Sequence, residues 1–342
     1  MRIGRGVVAF QGLISPLSSP QTVIQVPTSS GIRRSFLAAV LCLAASLIGC
    51  DSQPAGNQSE RTWVVTTGQI ADALKAITAG TDVQLKVFCG PGVDPHSFAA
   101  SMSDVQAMAD AEAIFFNGFH LEAKLHDLLH GEFEEKSWSM SEAFPKDARL
   151  DWLEDGEIDP EAPFDPHIWN HLPGWATCLE GLIDQVCEID PEHADRYRSN
   201  GRVYIEAVLA AHEAAQTSFA EIPAEKRVLV SAHDAFAYFA KVYGFETLAV
   251  LGVGNDAEAD VRTMRDVAKV VSERKVPVIF LESITNPKVT QALQEACQAR
   301  DWNVRIADQP LYSDDLGSEA PQDTYLGAFQ SNVDLIVSSL TQ

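Results

Sequence analysis

Basic residues are scarce in this chain of 342 residues: 25 Lys and Arg stand against 48 Asp and Glu, a formal net charge of −23. Binding to nucleic acid draws its affinity from a basic footprint that displaces phosphate counterions, so nucleic acid is excluded as a partner. The six cysteines include no CxxC pair, which excludes a cysteine-rich zinc module. HExxH, HxH and GxSxG are also missing, and with them the familiar signatures of zinc proteases and serine hydrolases. No apolar run reaches the ~20 residues that a membrane-spanning helix needs. What remains is the composition of a folded chain, 46% hydrophobic and 21% charged, long enough for two domains.

Residues 1–49 contain four arginines and no acidic residue. An apolar run from Phe36 to Ile48 suits the core of an export signal. It ends in Leu47-Ile48-Gly49-Cys50, which resembles a bacterial lipobox, so Cys50 is the expected lipidation site and mature N-terminus. Arg33-Arg34 also resembles a twin-arginine signal, and the choice of export route stays open. Polar residues 50–60 read as a flexible tether. Loss of the leader deepens the net charge from −23 to −27, a field that favours approaching cations. Cys89, Cys178, Cys187 and Cys297 are expected as buried thiols. Cys178 and Cys187 fall on one helix, roughly 13 Å apart along its axis and beyond disulfide reach.

Beyond residue 60, β-branched runs alternate with amphipathic segments. Strands are predicted at Trp63 to Thr66, Val83 to Cys89, Ala113 to Asn117 and Trp138 to Met140. Helices follow from Gln69, from Ser103 with Gln106 in capping-box position, over Leu121 to Leu129 and over Pro173 to Cys187. The second half repeats the pattern, with strands at Arg227 to Ser231, Glu246 to Val250, Pro277 to Leu281 and Asn303 to Ala307. Its helices lie at Ala235 to Tyr243, Asp260 to Arg274, Pro287 to Arg300 and Tyr325 to Leu340, and Gly244 stands at a helix C-cap. Between them Tyr197, Tyr204, Val208, Ala215 and Phe219 recur at helical spacing, so residues from Pro191 form one connector of roughly 43 Å, with a bend allowed at Gly201. The fold class is therefore α/β: two lobes, each a four-stranded mostly parallel sheet with flanking helices, joined by one long connecting helix. The expected divisions are 1–49 leader, 50–60 tether, 61–190 first lobe, 191–222 linking helix and 223–342 second lobe.

Ligands of such sheets gather at the C-terminal strand ends, and four loops there carry candidate metal ligands. Asp-Pro-His occurs twice, at Asp94-Pro95-His96 and Asp165-Pro166-His167. His233-Asp234 follows a strand, and Ser313-Asp314-Asp315 follows the last one. Neutral imidazoles and carboxylates are the donors preferred by zinc, manganese and iron(II), and proline restrains the backbone before each of the first two imidazoles. Asp315 competes with its neighbour for the carboxylate position. His126 and His130, four apart on a helix, could form a minor zinc site, against the plainer reading of a solvated face. His171 reads as a loop residue, His120 as structural, and His193 and His212 as exposed on the connector. Asp234 and Glu282 are candidates to orient ligands by hydrogen bonds.

Taken in order, these segments together with Asn117-Gly118-Phe119-His120-Leu121-Glu122, His233 to Phe239, Phe280-Leu281-Glu282 and Leu311 to Gly317 resemble the cluster A-I, TroA-like solute-binding proteins of ABC transporters. The resemblance covers nearly all of the chain after the leader. It implies a metal site of His96, His167, His233 and Asp314, Zn2+ or Mn2+ as the transported ligand, and an ABC transporter membrane permease as partner. It further implies an extracytoplasmic monomer held to the membrane by lipid on Cys50, with no catalytic activity. His233 stands where some manganese-selective relatives have a carboxylate, which leans towards zinc. The acidic stretch from Gly131 to Pro163 lacks the histidines of many dedicated zinc binders, so the two metals stay open. An exported metal-dependent hydrolase using the same cluster and a surface adhesin are the rival classes.

Overall fold

The computed structural model describes residues 61–154, 157–158, 162–254 and 260–341. The leader, Cys50 and the tether lie outside the described residues. The chain opens with β1 (Thr62–Thr67), α1 (Gly68–Ile77), β2 (Gln84–Cys89), α2 (Met102–Asp110), β3 (Ala113–Phe116), β4 (Ser137–Ser139) and the single turn α3 (Met140–Ala143). The four strands form one parallel sheet in the order β2-β1-β3-β4. The central strands β1 and β3 are apolar on both faces and almost wholly buried, as a parallel sheet covered by helices requires. The edge strand β2 alternates, and its Gln84 and Lys86 face water, which discourages pairing with another chain. Ile70, Ala73, Leu74 and Ile77 put one fully buried face of α1 onto this sheet.

Two expectations shift locally. The capping box of α2 uses Ser101 and Asp104, two residues earlier than Ser103 and Gln106: Asp104 N–H donates to Ser101 Oγ, and Ser101 N–H donates to the Asp104 carboxylate. Gln106 instead bonds Asp110 at 2.9 Å. The helix expected over Leu121 to Leu129 is broken into a 3-10 turn (Ala123–Leu125) and a π segment (Leu128–Glu132). Leu121, Leu125, Leu129 and Phe133 are all buried at four-residue steps. On an α-helix such a row drifts about 40° per step, and a wider π turn keeps it against the core. The acidic stretch also holds an unexpected two-residue hairpin, β5 (Leu153–Glu154) with β6 (Glu157–Ile158).

Next come α4 (Leu172–Ile189) and the connector α5 (Ala194–Ala220). His171 is not a plain loop residue: its Nδ1 caps α4 by accepting Gly174 N–H at 2.9 Å. The connector begins three residues later than expected because Pro191–His193 form a 3-10 turn, and its 27 helical residues span about 40 Å. It runs unbroken through Gly201. A Cβ at that position would lie 2.2 Å from Ile183 Cδ1, so the glycine serves close packing of α5 on α4 and not a bend. Asp190, fully buried, anchors the N-terminal end: it accepts Tyr197 Oη and His193 Nδ1 at 2.7 Å and pairs with Arg61 at 2.6 Å. Tyr197 packs edge-on to Trp63 of β1, while Phe219 at the other end packs among Phe239, Tyr243 and Phe245. His193 and His212 are half-buried and hydrogen-bonded, the latter to Tyr243 Oη at 3.1 Å.

The second half contains β7 (Val228–Ser231), α6 (Ala237–Tyr243), β8 (Glu246–Ala249), α7 (Val261–Glu273), β9 (Val278–Glu282), α8 (Pro287–Gln298), β10 (Arg305–Leu311) and α9 (Tyr325–Leu340). Its four strands are parallel but hydrogen-bond in two pairs, β7 with β8 and β9 with β10, while β7 lies beside β9. Gly244 closes α6 with φ of 71°, the left-handed cap that glycine accepts without a steric penalty. Helix α9 turns back to the first half, where Asp72 accepts both Tyr204 Oη and Tyr325 N–H at 2.7 and 3.2 Å. One apolar core, including Trp63, Trp175, Phe219, Phe280 and Ile336, runs through both halves. Cys89, Cys178, Cys187 and Cys297 are buried free thiols.

Candidate metal centre

The two Asp-Pro-His segments fold alike. In each, the aspartate accepts the backbone N–H of the histidine two residues on: Asp94 Oδ1 from His96 at 3.0 Å, and Asp165 Oδ1 from His167 at 2.8 Å. This Asx-type turn, stiffened by the intervening proline, fixes where the imidazole leaves the backbone. Asn117 Nδ2 donates to Pro166 O at 2.8 Å and pins the second turn beneath the end of β3. Glu122, buried in the same place, accepts Thr66 Oγ1, Asn117 N–H and Gly118 N–H, so the Asn117–Glu122 motif is a brace for the site.

From the second half, β7 delivers His233 and the loop after β10 delivers Asp314. The four side chains converge. His96 Nε2 lies 3.3 Å from His167 Nε2 and 3.4 Å from Asp314 Oδ2. His167 Nε2 is 3.5 Å from Asp314 Oδ1, and His233 Nε2 is 3.1 Å from Asp314 Oδ2. His167 and His233 are fully buried, Asp314 is 2% exposed, and His96 at 9% stands nearest to solvent. Asp315 points elsewhere: its carboxylate accepts Gly92 N–H at 2.7 Å and Ser283 Oγ. Asp314, not Asp315, is thus the aspartate that faces the imidazoles, and Asp315 ties the His96 loop to the second half.

Carboxylates fix the tautomers. Asp165 Oδ1 sits 2.8 Å from His167 Nδ1, and Glu282 Oε2 contacts His233 Nδ1 while its other oxygen accepts the N–H groups of Ala232 and His233 at 2.7 and 3.0 Å. An ionised carboxylate only accepts, so both Nδ1 atoms carry protons and both Nε2 atoms present lone pairs to the centre. Glu282, one of the two candidates for this role, thus holds the His233 ring. Asp234 does not: it hydrogen-bonds neither imidazole, and its N–H binds Gly252 O at 3.1 Å. Asp165 takes the orienting role instead. Its place two residues before His167 offered it as a candidate, but the matching Asp94 reaches only the backbone N–H of His96, so residue order alone does not reveal the role.

Fully buried, His233 has the Glu282 carboxylate at Nδ1 and the Asp314 carboxylate 3.1 Å from Nε2. The lone pairs of His167 and His233 and the Asp314 carboxylate, gathered at these separations, repel unless a proton or another positive charge lies among them. Burial pushes the His167 imidazole down, but Asp165 and Asp314 outweigh it and the net shift is upward. His233, between Glu282 and Asp314, is raised well above the ordinary imidazole range against the same burial effect. Burial would raise Asp314, yet His233 and His167 hold it well below the usual carboxylate range. A bound cation would fill the role that protons take in its absence. The donor set fits a divalent transition metal.

A cavity of about 630 Å3 beside α1 and β2 contains none of the four residues. Among the described residues, these four are the one group whose ligand atoms all fall within 4.8 Å of one another.

Residues 64–339 match the family described as the periplasmic zinc-uptake complex component A, ZnuA. The chain is 34% identical over 313 residues to the manganese-binding lipoprotein MntA of Bacillus subtilis, covering 90% of this chain and 100% of that one. It is 37% identical over 283 residues to the zinc-binding protein TroA of Treponema pallidum, covering 82% and 88%. The solved structure of that periplasmic zinc-binding protein superposes with a TM-score of 0.77 at 35% identity, over 83% of this chain and 100% of the other. The chain therefore belongs to the ZnuA/TroA family, the extracytoplasmic metal-binding components of ABC importers, which bind and deliver a solute without chemical turnover.

Proposed function

We propose that His96, His167, His233 and Asp314 together ligate one zinc or manganese ion, which the chain carries to the membrane permease of its importer. The observation that carries this reading is the convergence of the four side chains: four contacts of 3.1–3.5 Å among them, with one ligand atom from each lying within 4.8 Å of all the others. Metal–nitrogen bonds of about 2.0–2.1 Å place neighbouring donors of a tetrahedral zinc about 3.3 Å apart. Three imidazoles favour zinc, in line with the zinc-binding Treponema relative. The Bacillus relative binds manganese, and both oxygens of Asp314 face imidazoles, which supports a higher coordination number as well.

The expected divisions fit this role: residues 1–49 as a removed leader, lipid on Cys50 holding the protein to the membrane, 50–60 as tether, and lobes 61–190 and 223–342 about the linker 191–222. The protein acts as a monomer with no nucleic-acid partner. Calorimetry on the protein lacking its leader is expected to give one tight Zn2+ or Mn2+ per chain, with large weakening in His233→Ala. Unchanged affinity in that variant removes His233 from the site. Metal content after purification without added metal identifies the ion.

A further inference from the structure

We propose that His120, His126 and His130 form a second metal site on the surface of the first half, selective for imidazole-seeking ions such as Zn2+ and Cu2+ over Mn2+. The rings of His126 and His130 have centroids 4.7 Å apart, and those of His120 and His126 are 5.9 Å apart. In the buried centre the corresponding separations are 5.2, 5.5 and 6.2 Å. Two of the surface ring pairs thus stand about as far apart as the rings of the buried centre, although the nitrogens of all three do not yet lie within 4.8 Å of one another.

The backbone that brings them together is unusual. Gly118, Phe119 and His120 are consecutive left-handed residues with φ of 85°, 49° and 65°. Two non-glycine residues in that region persist only where the surroundings hold them; here Glu122 clamps the turn through Asn117 and Gly118 N–H. The turn sets the His120 ring beside His126, and the π segment that contains His130 places that ring against its neighbour four residues back. The edge of Phe116 supports His130 at 5.3 Å. Burial first, and then His126 and His120, lower the His130 pKa, against the opposing pull of Glu134 and Glu142, so its lone pair is available at neutral pH.

His126 and His130 are exposed, so their rings have room to turn towards one ion, with water completing the coordination. All-nitrogen donors suit zinc and copper, whereas manganese prefers oxygen. Lys124, between the histidines, donates to Ser97 O at 3.1 Å, so the same segment braces the loop of His96. An ion held there exchanges freely with solution, unlike one in the buried centre.

The test is metal titration of the full protein lacking its leader, read by calorimetry and by metal content after gel filtration. The expected result is two Zn2+ but one Mn2+ per chain. In His126→Ala/His130→Ala the second Zn2+ is lost while Mn2+ binding, which checks the fold and the buried centre, is unchanged. In His233→Ala the surface Zn2+ remains, which separates this site from the buried one. A wild-type protein that saturates at one Zn2+, or a second Zn2+ that survives the double substitution, overturns the proposal.

Discussion

Glu282→Gln should weaken metal binding more than its isosteric character suggests. Glu282 uses one oxygen for two backbone N–H groups, at 2.7 and 3.0 Å, and the other for His233 Nδ1. A glutamine has one oxygen. If that oxygen keeps the backbone bonds, its NH2 group faces Nδ1, which must then accept, and the imidazole proton moves to Nε2. A protonated Nε2 cannot ligate. If the amide flips, two buried backbone donors face an NH2 group instead. The first outcome blocks Nε2 and the second costs buried hydrogen bonds, and loss of such outer partners weakens metal binding by about 10–100-fold, or roughly 1.4–2.8 kcal/mol. Asp165→Asn makes the contrast. There a single oxygen, Oδ1, serves both His167 N–H and Nδ1–H at 2.8 Å, and an amide oxygen can keep both bonds, so a smaller loss is expected. Competition against a chromophoric chelator measures both variants, with thermal melts of the metal-free proteins as the check on folding. Affinity within twofold of wild type for Glu282→Gln, or a larger loss for Asp165→Asn, would falsify the tautomer argument.

The raised imidazoles make metal binding and apo stability depend on pH in opposite ways. Affinity should begin to fall above the ordinary imidazole value of 6.5 as pH is lowered, because His167 and His233 are shifted up and protons compete with the ion; a calorimetric series from pH 8.5 to 5 with flat affinity contradicts this. In the metal-free protein the same upward shift adds stability that is full below the unfolded imidazole pKa and is lost as pH rises through the folded values. Urea unfolding should therefore find the apo protein more stable at pH 6 than at pH 9. Gly201→Ala gains about 1 kcal/mol of helix propensity, but its Cβ meets Ile183 at 2.2 and 2.6 Å, and overpacking costs typically 1–3 kcal/mol; the sum is expected to destabilise in chemical denaturation. Asp190→Ala removes the common acceptor of Tyr197, His193 and Arg61. It should cost about 3 kcal/mol in the same assay, and a loss below about 0.5 kcal/mol would show the network to be idle.

The alternation of apolar runs and amphipathic segments determined the α/β class, the long connector and the place of nearly every strand, because burial on both faces and the 3.6-residue period are written directly in residue order. Tyr325 to Leu340 and the cap at Gly244 were legible to the residue. The break after Gly118 was not, since a row of leucines at four-residue steps reads as a helix until its drift against the core is counted. Gly201 read as a weak point and proved to be a contact, because the side chain it accommodates, Ile183, belongs to another helix.

The candidate ligands were nameable from residue type, loop position and the doubled Asp-Pro-His. Their convergence was a tertiary matter: His96 and His167 are 71 residues apart and still meet at 3.3 Å. Residue order alone could not choose between Asp314 and Asp315, whose side chains leave adjacent backbone positions in different directions, one to the imidazoles and one to Gly92 and Ser283. Nor could it rank Asp165 over Asp234 as the orienting carboxylate, since a hydrogen bond to Nδ1 depends on an angle and a distance that only the folded chain supplies. Composition set which atoms were available to bind an ion; packing of the two halves decided which of them face one another.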